Sequence, residues 1–194
     1  MVIYTIYDDR NEMMMNFIER LPLTASKDRI NADLSSILGM TKWEPTNQIG
    51  LRHRLGCHDQ WTDSYGGLFD RMTKERLSRE EDFSIWNDCT PEYTKMVLGL
   101  LAGHEKVGFG RIRFMRLMPK TGLSIHVDEQ IRYHFVLETH KDAVFCECLE
   151  NSPVRTIGYN MPDDGHWYRV DTRRSHFVYN GGWTPRIHLV VCPV

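Results

Sequence analysis

From Gly108 onward, hydrophobic and polar residues alternate with a period of two, which is the pattern of a half-buried β-strand. Clusters of proline, glycine, aspartate and asparagine interrupt the alternation, as turns between strands do. The alternating segments are 111–118, 132–137, 143–149, 154–159, 167–170, 176–179 and 186–192. Many short strands joined by turns form a sandwich or jelly roll. The pattern therefore predicts a mainly β core over residues 106–194.

Helical periodicity dominates the first 105 residues instead. Apolar positions at helical spacing occur in segments 12–20, 27–38 and 90–103. The third segment begins with Thr90-Pro91 and stops at Gly103, which are common helix start and stop signals. Between the helices, the polar stretch 41–71 is long for a connection without structure. We expect that stretch to contain a short strand or to belong to a site.

Length and charge limit the possible architectures and partners. A chain of 194 residues is long enough for one well-buried domain and short for two. We expect a single α+β domain, 1–194, in which a helical portion (1–105) packs on one sheet of the β core (106–194). The net charge of −2 argues against a surface that tracks nucleic-acid phosphates. No apolar run approaches a membrane span, and the first residues lack the features of an export signal.

Five cysteines are scattered along the chain, and their odd number does not indicate a disulfide framework. Cys146 and Cys148 would share one face of a strand and could suggest a soft-metal site, but no second pair completes it. Packed, reduced thiols are the favoured interpretation. A reducing, cytoplasmic location is therefore expected.

Two predicted strands place basic residues on one face and apolar residues on the other. Arg132 and His134 oppose the apolar face of segment 132–137, and Arg186 and His188 oppose that of segment 186–192. Buried cations are costly unless they meet an anion or a metal. The repeated pattern predicts that the apolar faces lie under the helices and that the Arg/His faces line a pocket between sheets. An ordinary solvent-facing side is the alternative for either strand alone.

A candidate metal site combines His126, Asp128 and His176. The first two are two positions apart, so they project to the same side of an extended segment. Two imidazoles and one carboxylate can hold iron(II) by one face and leave the other open. Ten positions after His176, Arg186 offers a planar fork that can bind a carboxylate by two hydrogen bonds. His-x-Asp alone is a weak signal, and a surface histidine near an acidic turn would be the favoured explanation of that motif by itself.

This combination resembles the aspartyl/asparaginyl β-hydroxylase family of iron(II)- and 2-oxoglutarate-dependent oxygenases over about residues 108–192. The resemblance rests on Gly122-Leu-Ser-Ile-His126-Val-Asp128, Arg132-Tyr-His134, Gly165-x-x-Tyr168-x-Val-Asp171-Thr172, His176-x-Val178-x-Asn180 and Arg186-Ile-His-Leu-Val190. It implies a double-stranded β-helix, a jelly-roll or cupin-like fold.

Site roles follow from the resemblance by position. His126 and His176 would be iron ligands, and Arg186 would bind the C5 carboxylate of 2-oxoglutarate. Arg132 and His134 match the family's Arg-x-His segment, whose residues approach the co-substrate. Asp128 stands where members of the family diverge, since some bind iron with two histidines and no acid. Its presence resembles the wider oxygenase superfamily and weakens the transfer of a substrate from members that lack it.

The resemblance implies hydroxylation of an unactivated C–H bond with Fe(II), 2-oxoglutarate and O₂, with no catalytic side chain beyond the metal ligands. The substrate would be an amino acid or another small molecule, or a peptide or protein side chain, and neither nucleic acid nor membrane is an expected partner. Arg52, His53 and Trp61, with the Tyr65-Gly-Gly67 loop, are candidate substrate contacts from polarity and position alone. Two alternatives are a cupin-type metal enzyme that does not use 2-oxoglutarate and a non-catalytic jelly-roll binding module.

The segment Arg111-x-Arg113, with Arg116, carries a further concentration of positive charge. It could form a basic patch for an acidic substrate, and a solvated strand face would explain it equally well.

Overall fold

A computed structural model of the chain describes residues 16–43, 45–70, 72–151 and 154–194. Within these residues the helices are α1 (Lys27–Leu38) and α2 (Glu92–Glu105). The strands are β1 (Ile18–Thr24), β2 (Gln48–Gly50), β3 (Arg52–His53), β4 (Ile85–Trp86), β5 (Phe109–Leu117), β6 (Thr121–His126), β7 (Arg132–Glu138), β8 (Ala143–Cys148), β9 (Thr156–Tyr159), β10 (His166–Val170), β11 (His176–Asn180) and β12 (Arg186–Pro193). Short 3-10 turns cover Glu80–Asp82 and Leu149–Asn151.

Two antiparallel sheets form the core. The larger sheet has the strand order β1-β10-β7-β12-β5-β2, and the smaller has the order β6-β11-β8-β9. From β5 to β12 the chain crosses from one sheet to the other after every strand except β8, which pairs with β9 in the smaller sheet. This is the connectivity of a double-stranded β-helix. The separate pair β3-β4 lies outside both sheets. The predicted mainly β, jelly-roll fold is confirmed.

Both helices cover the outer face of the larger sheet. Their buried residues Ile30, Leu34 and Ile37 of α1, and Val97, Leu98 and Leu101 of α2, join one apolar cluster with strand residues such as Phe114, Phe135 and Leu189. Burying a side chain of this size contributes roughly 1.5–3 kcal/mol, so this layer supplies much of the driving force for folding. The predicted packing of the helices on one sheet is confirmed.

Strand β7 shows how the alternating pattern sorts side chains between the two faces of the larger sheet. Tyr133, Phe135 and Leu137 enter the cluster under the helices, whereas Arg132 and His134 line the space between the sheets. Strand β12 behaves alike, because Leu189 and Val191 lie under the helices and Arg186 lines that space. The prediction from the Arg-x-His pattern is confirmed for Arg132, His134 and Arg186, whereas His188 is buried beside His134 and does not line that space.

The N-terminal portion is less helical than its periodicity suggests. Residues 12–15 of the first predicted helix lie outside the described residues, and Ile18–Arg20 begin strand β1, so the helix prediction is wrong there. Pairing decides the outcome, since Ile18 lies opposite Val170 at the edge of the larger sheet. The stretch 41–71 contains β2 and β3, as expected.

Helix α2 does not end at Gly103. It continues to Glu105, and Lys106 closes it in the left-handed conformation, with φ 57°. The hydroxyl of Thr90 does not cap this helix either, because it donates to the Leu51 carbonyl at 3.3 Å. Tertiary contacts therefore override the local start and stop signals. No helix among the described residues is long and apolar enough to cross a membrane.

All five cysteines are free thiols, and Cys146 and Cys148 are buried on β8. The prediction of packed, unbridged cysteines is confirmed at these two positions.

Gly110 permits a close approach that the site depends on. A Cβ atom at this position of β5 would overlap the Glu80 carbonyl group. We expect Gly110→Ala to lower the free energy of unfolding by roughly 1–3 kcal/mol, because the 3-10 turn would have to move. Urea unfolding measures the change. In the control Gly103→Ala, the new methyl group meets no atom within 4 Å, and a small gain of about 0.5–1 kcal/mol is expected. Equal midpoints for Gly110→Ala and the unmodified chain would contradict the prediction.

Candidate metal centre and cavity

The smaller sheet brings the three candidate metal ligands together. His126 ends β6 and His176 begins β11, and the two residues are direct partners in the antiparallel register. Their ring centroids are 4.2 Å apart. Asp128 follows β6 by two residues, and one ligand atom from each of the three side chains lies within 4.8 Å of the others. The spacing His-x-Asp with a distant histidine thus becomes one compact cluster.

Backbone carbonyls fix the orientation of both imidazoles. Nδ1 of His126 lies 2.7 Å from the Ser124 carbonyl oxygen, and Nδ1 of His176 lies 2.9 Å from that of Arg174. Since a carbonyl only accepts, each Nδ1 carries the proton and each Nε2 keeps a lone pair for a metal. Burial, together with the adjacent His126, lowers the pKa of His176. The neutral ring that a metal requires is therefore the stable form.

A chain of ion pairs holds the carboxylate of the cluster. Oδ2 of Asp128 lies 3.3 Å from Nε of Arg132, whose Nη2 lies 3.0 Å from Oε1 of Glu80. The backbone N–H of Asp128 also donates to the Thr172 carbonyl at 2.9 Å. Contacts that orient a metal ligand also contribute to metal affinity. Arg132 thus already has two carboxylate partners, although the resemblance assigns it to the co-substrate.

Glu80 is a site residue that the sequence analysis missed. Its side chain is only 5% exposed, and Arg111 binds it through Nε at 2.7 Å and Nη2 at 2.8 Å. Burial alone would raise the pKa of Glu80, but hydrogen bonding to Arg111 and the charges of Arg111, Arg132 and Arg113 lower it overall. Glu80 lies in a polar stretch with two further acidic residues, so no local signal distinguishes it. Arg111 is accordingly a buried ion-pair partner and not part of a solvated strand face.

A cavity of about 450 Å³ opens between the sheets beside the cluster. Small-molecule sites commonly range from about 300 to 1,000 Å³, so its size suits one or two small ligands. One part of its wall consists of the three candidate ligands with Arg132, His134 and Arg186. Another part includes Thr46, Asn47, Gln48, Gly66, Gly67, Arg111, Arg113 and Arg116. The glycines of the predicted Tyr65-Gly-Gly67 contact loop therefore do reach the cavity.

Arg186 is buried in this wall without a counter-ion. It is 7% exposed, its guanidinium lies 5.9 Å from the Phe145 ring centroid, and its Nη2 has no hydrogen-bond partner. No carboxylate of the described residues forms an ion pair with it. Burial lowers the pKa of Arg186 to about 9, which still leaves the group charged at neutral pH. A buried, unpaired guanidinium facing a cavity is the expected signature of an anion site.

Two buried histidines accompany Arg186. Nδ1 of His134 and Nδ1 of His188 are 3.3 Å apart, and Nε2 of each ring lacks a partner. Burial is the largest cause that lowers the pKa of both rings, with the charge of Arg186 next. Both imidazoles are therefore neutral, and His134 presents its ring to the cavity as a hydrogen-bonding group.

Arg52, His53 and Trp61 do not line this cavity, and their role as substrate contacts stays a prediction. The guanidinium of Arg52 donates to the carbonyl oxygens of Phe109 and Ser84. His53 contacts Oδ1 of Asn87 at 2.9 Å and faces a separate shallow hollow. Trp61 packs in the core under the helices and also lines this hollow.

Sequence comparison gives no match to a known protein family or to a curated protein. Comparison of structures does give likenesses. AviO1 from Streptomyces viridochromogenes Tue57 is 12% identical, with 90% of this chain and 87% of that chain covered and a TM-score of 0.52. A prolyl-4-hydroxylase from Pseudomonas putida is 10% identical, with 91% of each chain covered and a TM-score of 0.50. HygX from Streptomyces hygroscopicus, solved with iron bound, is 10% identical, with 90% and 80% covered and a TM-score of 0.50.

At these identities the likenesses concern the fold. They extend over about nine-tenths of the chain, which is more than the β core alone. Fold and site together define a double-stranded β-helix protein with a candidate centre of two histidines and one carboxylate.

Proposed function

We propose that the chain is an iron(II)- and 2-oxoglutarate-dependent oxygenase that hydroxylates an unactivated C–H bond of an amino acid or of a peptide or protein side chain. The observation that carries this proposal is the buried, unpaired guanidinium of Arg186 in the same cavity as the His126, Asp128 and His176 cluster. One group demands an anion and the other suits a divalent metal. A metal at the cluster and an anionic co-substrate at Arg186 would provide both groups with a binding partner in one cavity.

Iron(II) fits the donor set. Two neutral imidazole nitrogens and one carboxylate form the facial triad of non-haem iron oxygenases, which leaves coordination positions open. The likeness in fold to HygX, which was solved with iron bound, supports the choice of metal. A cupin-type enzyme without 2-oxoglutarate would more often use a third histidine and a glutamate. Among the described residues, no such enlarged group of candidate ligands forms.

2-Oxoglutarate fits the wall of the cavity. The fork of Arg186 can bind a terminal carboxylate by two parallel hydrogen bonds, and His134 offers a further polar contact nearby. When bound, iron(II) and 2-oxoglutarate together supply the oxidising chemistry with O₂. The chain's own residues then orient the ligands. The apolar side chains of Phe145, Val178 and Val190 in the cavity wall limit the access of water. No acid–base pair is required of the protein.

The aspartyl/asparaginyl β-hydroxylase family is the proposed relative within this class. The support is the set of sequence motifs around His126, Arg132, His176 and Arg186, all of which lie on or beside the cavity. Asp128 lies within the cluster, so the candidate centre has two histidines and one acid. Some members of that family have no acid at this position. The proposed partners are accordingly a small molecule or a peptide.

An anaerobic titration tests the proposal directly. The metal-free protein receives one equivalent of iron(II) and then 2-oxoglutarate, while the visible absorbance is recorded. A metal-to-ligand charge-transfer band that saturates with 2-oxoglutarate is expected. The same mixture exposed to air should release succinate, and candidate amino acids and peptides that accelerate the release would identify the substrate. Absence of the band with correctly folded protein would refute the proposal.

Arg186→Lys should weaken 2-oxoglutarate binding by about 10- to 100-fold, because lysine keeps the charge but loses the two-point fork. The titration midpoint of the charge-transfer band measures the change, and iron affinity should stay within a few-fold. Arg155→Lys is the matched control, since Arg155 is exposed and pairs with Glu150 away from the cavity. Unaltered 2-oxoglutarate affinity in Arg186→Lys would remove Arg186 from the assigned role.

A further inference from the structure

Arg113 is a second buried guanidinium in the cavity wall, and its surroundings differ from those of Arg111 and Arg132. It is 5% exposed and lies on β5, where it faces the space between the sheets. Nη1 donates to Oε1 of Gln48 at 3.0 Å and to the carbonyls of Ser64 at 3.3 Å and Gly66 at 3.5 Å. Nη2 donates to Sγ of the Cys192 thiol at 4.0 Å, and Nε has no partner. All of these acceptors are neutral. No carboxylate of the described residues forms an ion pair with Arg113.

None of the neighbouring acids that the structure describes forms an ion pair with Arg113, because each of them has other partners. Glu80 is shared by Arg111 and Arg132. Asp128 belongs to the candidate metal cluster, and Glu129 pairs with Arg76 at the surface. Burial lowers the pKa of Arg113 to about 10, with the charge of Arg111 as the next cause, and the group remains charged at neutral pH. A charge left uncompensated inside a protein destabilises it unless a ligand pairs with it.

Arg113 and Arg186 mark two separate places in the cavity. They lie on adjacent strands, where Arg113 is opposite Val190 and Arg186 is opposite Leu117. Their backbone positions are therefore four residues apart along the strands, roughly 13 Å at about 3.3 Å per residue. The charge of Arg113 is not among the causes that lower the pKa of Arg186, which agrees with separate positions of the two guanidiniums. Each unpaired cation therefore offers its own place for an anionic group.

Charge balance points the same way. Four buried guanidiniums line the cavity, those of Arg111, Arg113, Arg132 and Arg186, against the carboxylates of Glu80 and Asp128. Iron(II) and doubly charged 2-oxoglutarate carry equal and opposite charge, so loading the proposed centre does not remove the surplus. Positive charge therefore remains for a further ligand.

We propose that the substrate carries an oxyanion, a carboxylate or a phosphate, that binds Arg113 in the part of the cavity away from Arg186. This inference rests on the proposed function for the reaction that the substrate undergoes. The surrounding wall suits a small polar molecule, because Gln48 and the glycine loop lie beside Arg113. The loop is itself held in place, since the Gly66 carbonyl accepts from Nη1 of Arg111 at 2.9 Å.

Calorimetric titration of the metal-free protein tests the anion site with pairs of probes, each an anion and its neutral counterpart. L-Aspartate is compared with L-asparagine, and O-phospho-L-serine with L-serine. At least one charged probe should bind about 10- to 100-fold more tightly than its neutral counterpart, as charge-assisted hydrogen bonds imply. The preferred pair tells carboxylate from phosphate. Arg113→Gln should abolish the preference, whereas Arg186→Lys should retain it. No preference in the unmodified protein, or an equal one in Arg113→Gln, would overturn the inference.

Thermal unfolding separates a ligand-binding role from a structural one. Because Arg113→Gln removes an uncompensated charge, its melting temperature without ligand should equal or exceed that of the unmodified protein. A clear fall in the melting temperature of Arg113→Gln, with an anion preference that survives in the same variant, would assign Arg113 to the fold and overturn the inference. The charge-transfer band of the loaded enzyme reports the metal centre independently. Loss of that band therefore counts against the proposed function, and loss of the anion preference counts against Arg113.

Discussion

The His176→Ala variant should lose iron(II) binding and 2-oxoglutarate turnover together. His176 contributes one of three ligands, and its ring is held both by the Arg174 carbonyl and by stacking on Phe145 at a centroid distance of 5.2 Å. Replacing residues that merely orient metal ligands costs about 10- to 100-fold in affinity. Removal of a ligand should exceed that, and we expect iron affinity to fall more than about 100-fold, with no charge-transfer band.

Three measurements make this result specific. The band is recorded anaerobically, iron affinity is measured by competition with a chelator, and the melting temperature is followed with and without iron(II). The unmodified protein should gain about 2.7 kcal/mol of stability at an iron concentration of 100 times its dissociation constant, and His176→Ala should gain none. His104→Ala is the control, because that histidine is exposed on α2 and contacts Glu105. A normal band in His176→Ala would remove it from the metal centre.

The sequence predicts the fold correctly in segments where a single hydrophobic period continues from end to end. The alternation in β7 and β12 correctly separates Phe135 and Leu189 from Arg132 and Arg186, because each strand has only two faces. The hydrophobic period does not predict the structure of segments whose conformation depends on pairing with another strand. Strand β6 is not predicted from the sequence, because its residues follow a turn and are mostly exposed. They therefore lack the alternation of apolar residues that indicates a buried face. Strand β1 was mistaken for a helix because its pairing with β10 is a long-range contact.

Candidate site residues divide in the same way. His126, Asp128 and His176 could be selected because their side-chain chemistry is unusual in combination, and the structure gathers them. Arg113 was visible as a charge but not as a buried one, since burial depends on the segment 64–66 that lies over it. Glu80 could not be recognised at all. Its role exists only through Arg111 and Arg132, which are distant in sequence.

Glu80→Gln should be the most destabilising single isosteric change in the site. The carboxylate is the shared partner of Arg111 and Arg132, so its removal leaves buried guanidiniums without a counter-charge. Breaking a buried pair by removing one partner costs about 3–5 kcal/mol, and we expect a loss of that order in urea unfolding. Glu81→Gln is the matched control. Its side chain is exposed and lies 3.6 Å from Arg79, so a change of at most about 0.5 kcal/mol is expected.

Acidic pH should lower the free energy of unfolding of the unmodified protein, because Glu80 becomes protonated. The pKa of Glu80 is lowered in the folded state, so its ionised form stabilises the fold above the unfolded value of 4.5, and this contribution is lost as the pH falls through the lower folded value. Glu80→Gln should therefore show a flatter dependence of unfolding free energy on pH below about 4.5.

A double variant separates the ion pair from packing. If the cost of Glu80→Gln arises from stranded charge, Arg111→Met should cost less in the Glu80→Gln background than alone, because one of the stranded guanidiniums is removed. Iron affinity should fall with Glu80→Gln as well, by about 10- to 100-fold, because Arg132 then loses the partner that holds it against Asp128. Strict additivity of the two substitutions, with unchanged iron affinity, would mean that Glu80 acts neither as the counter-charge nor as the support of the metal carboxylate.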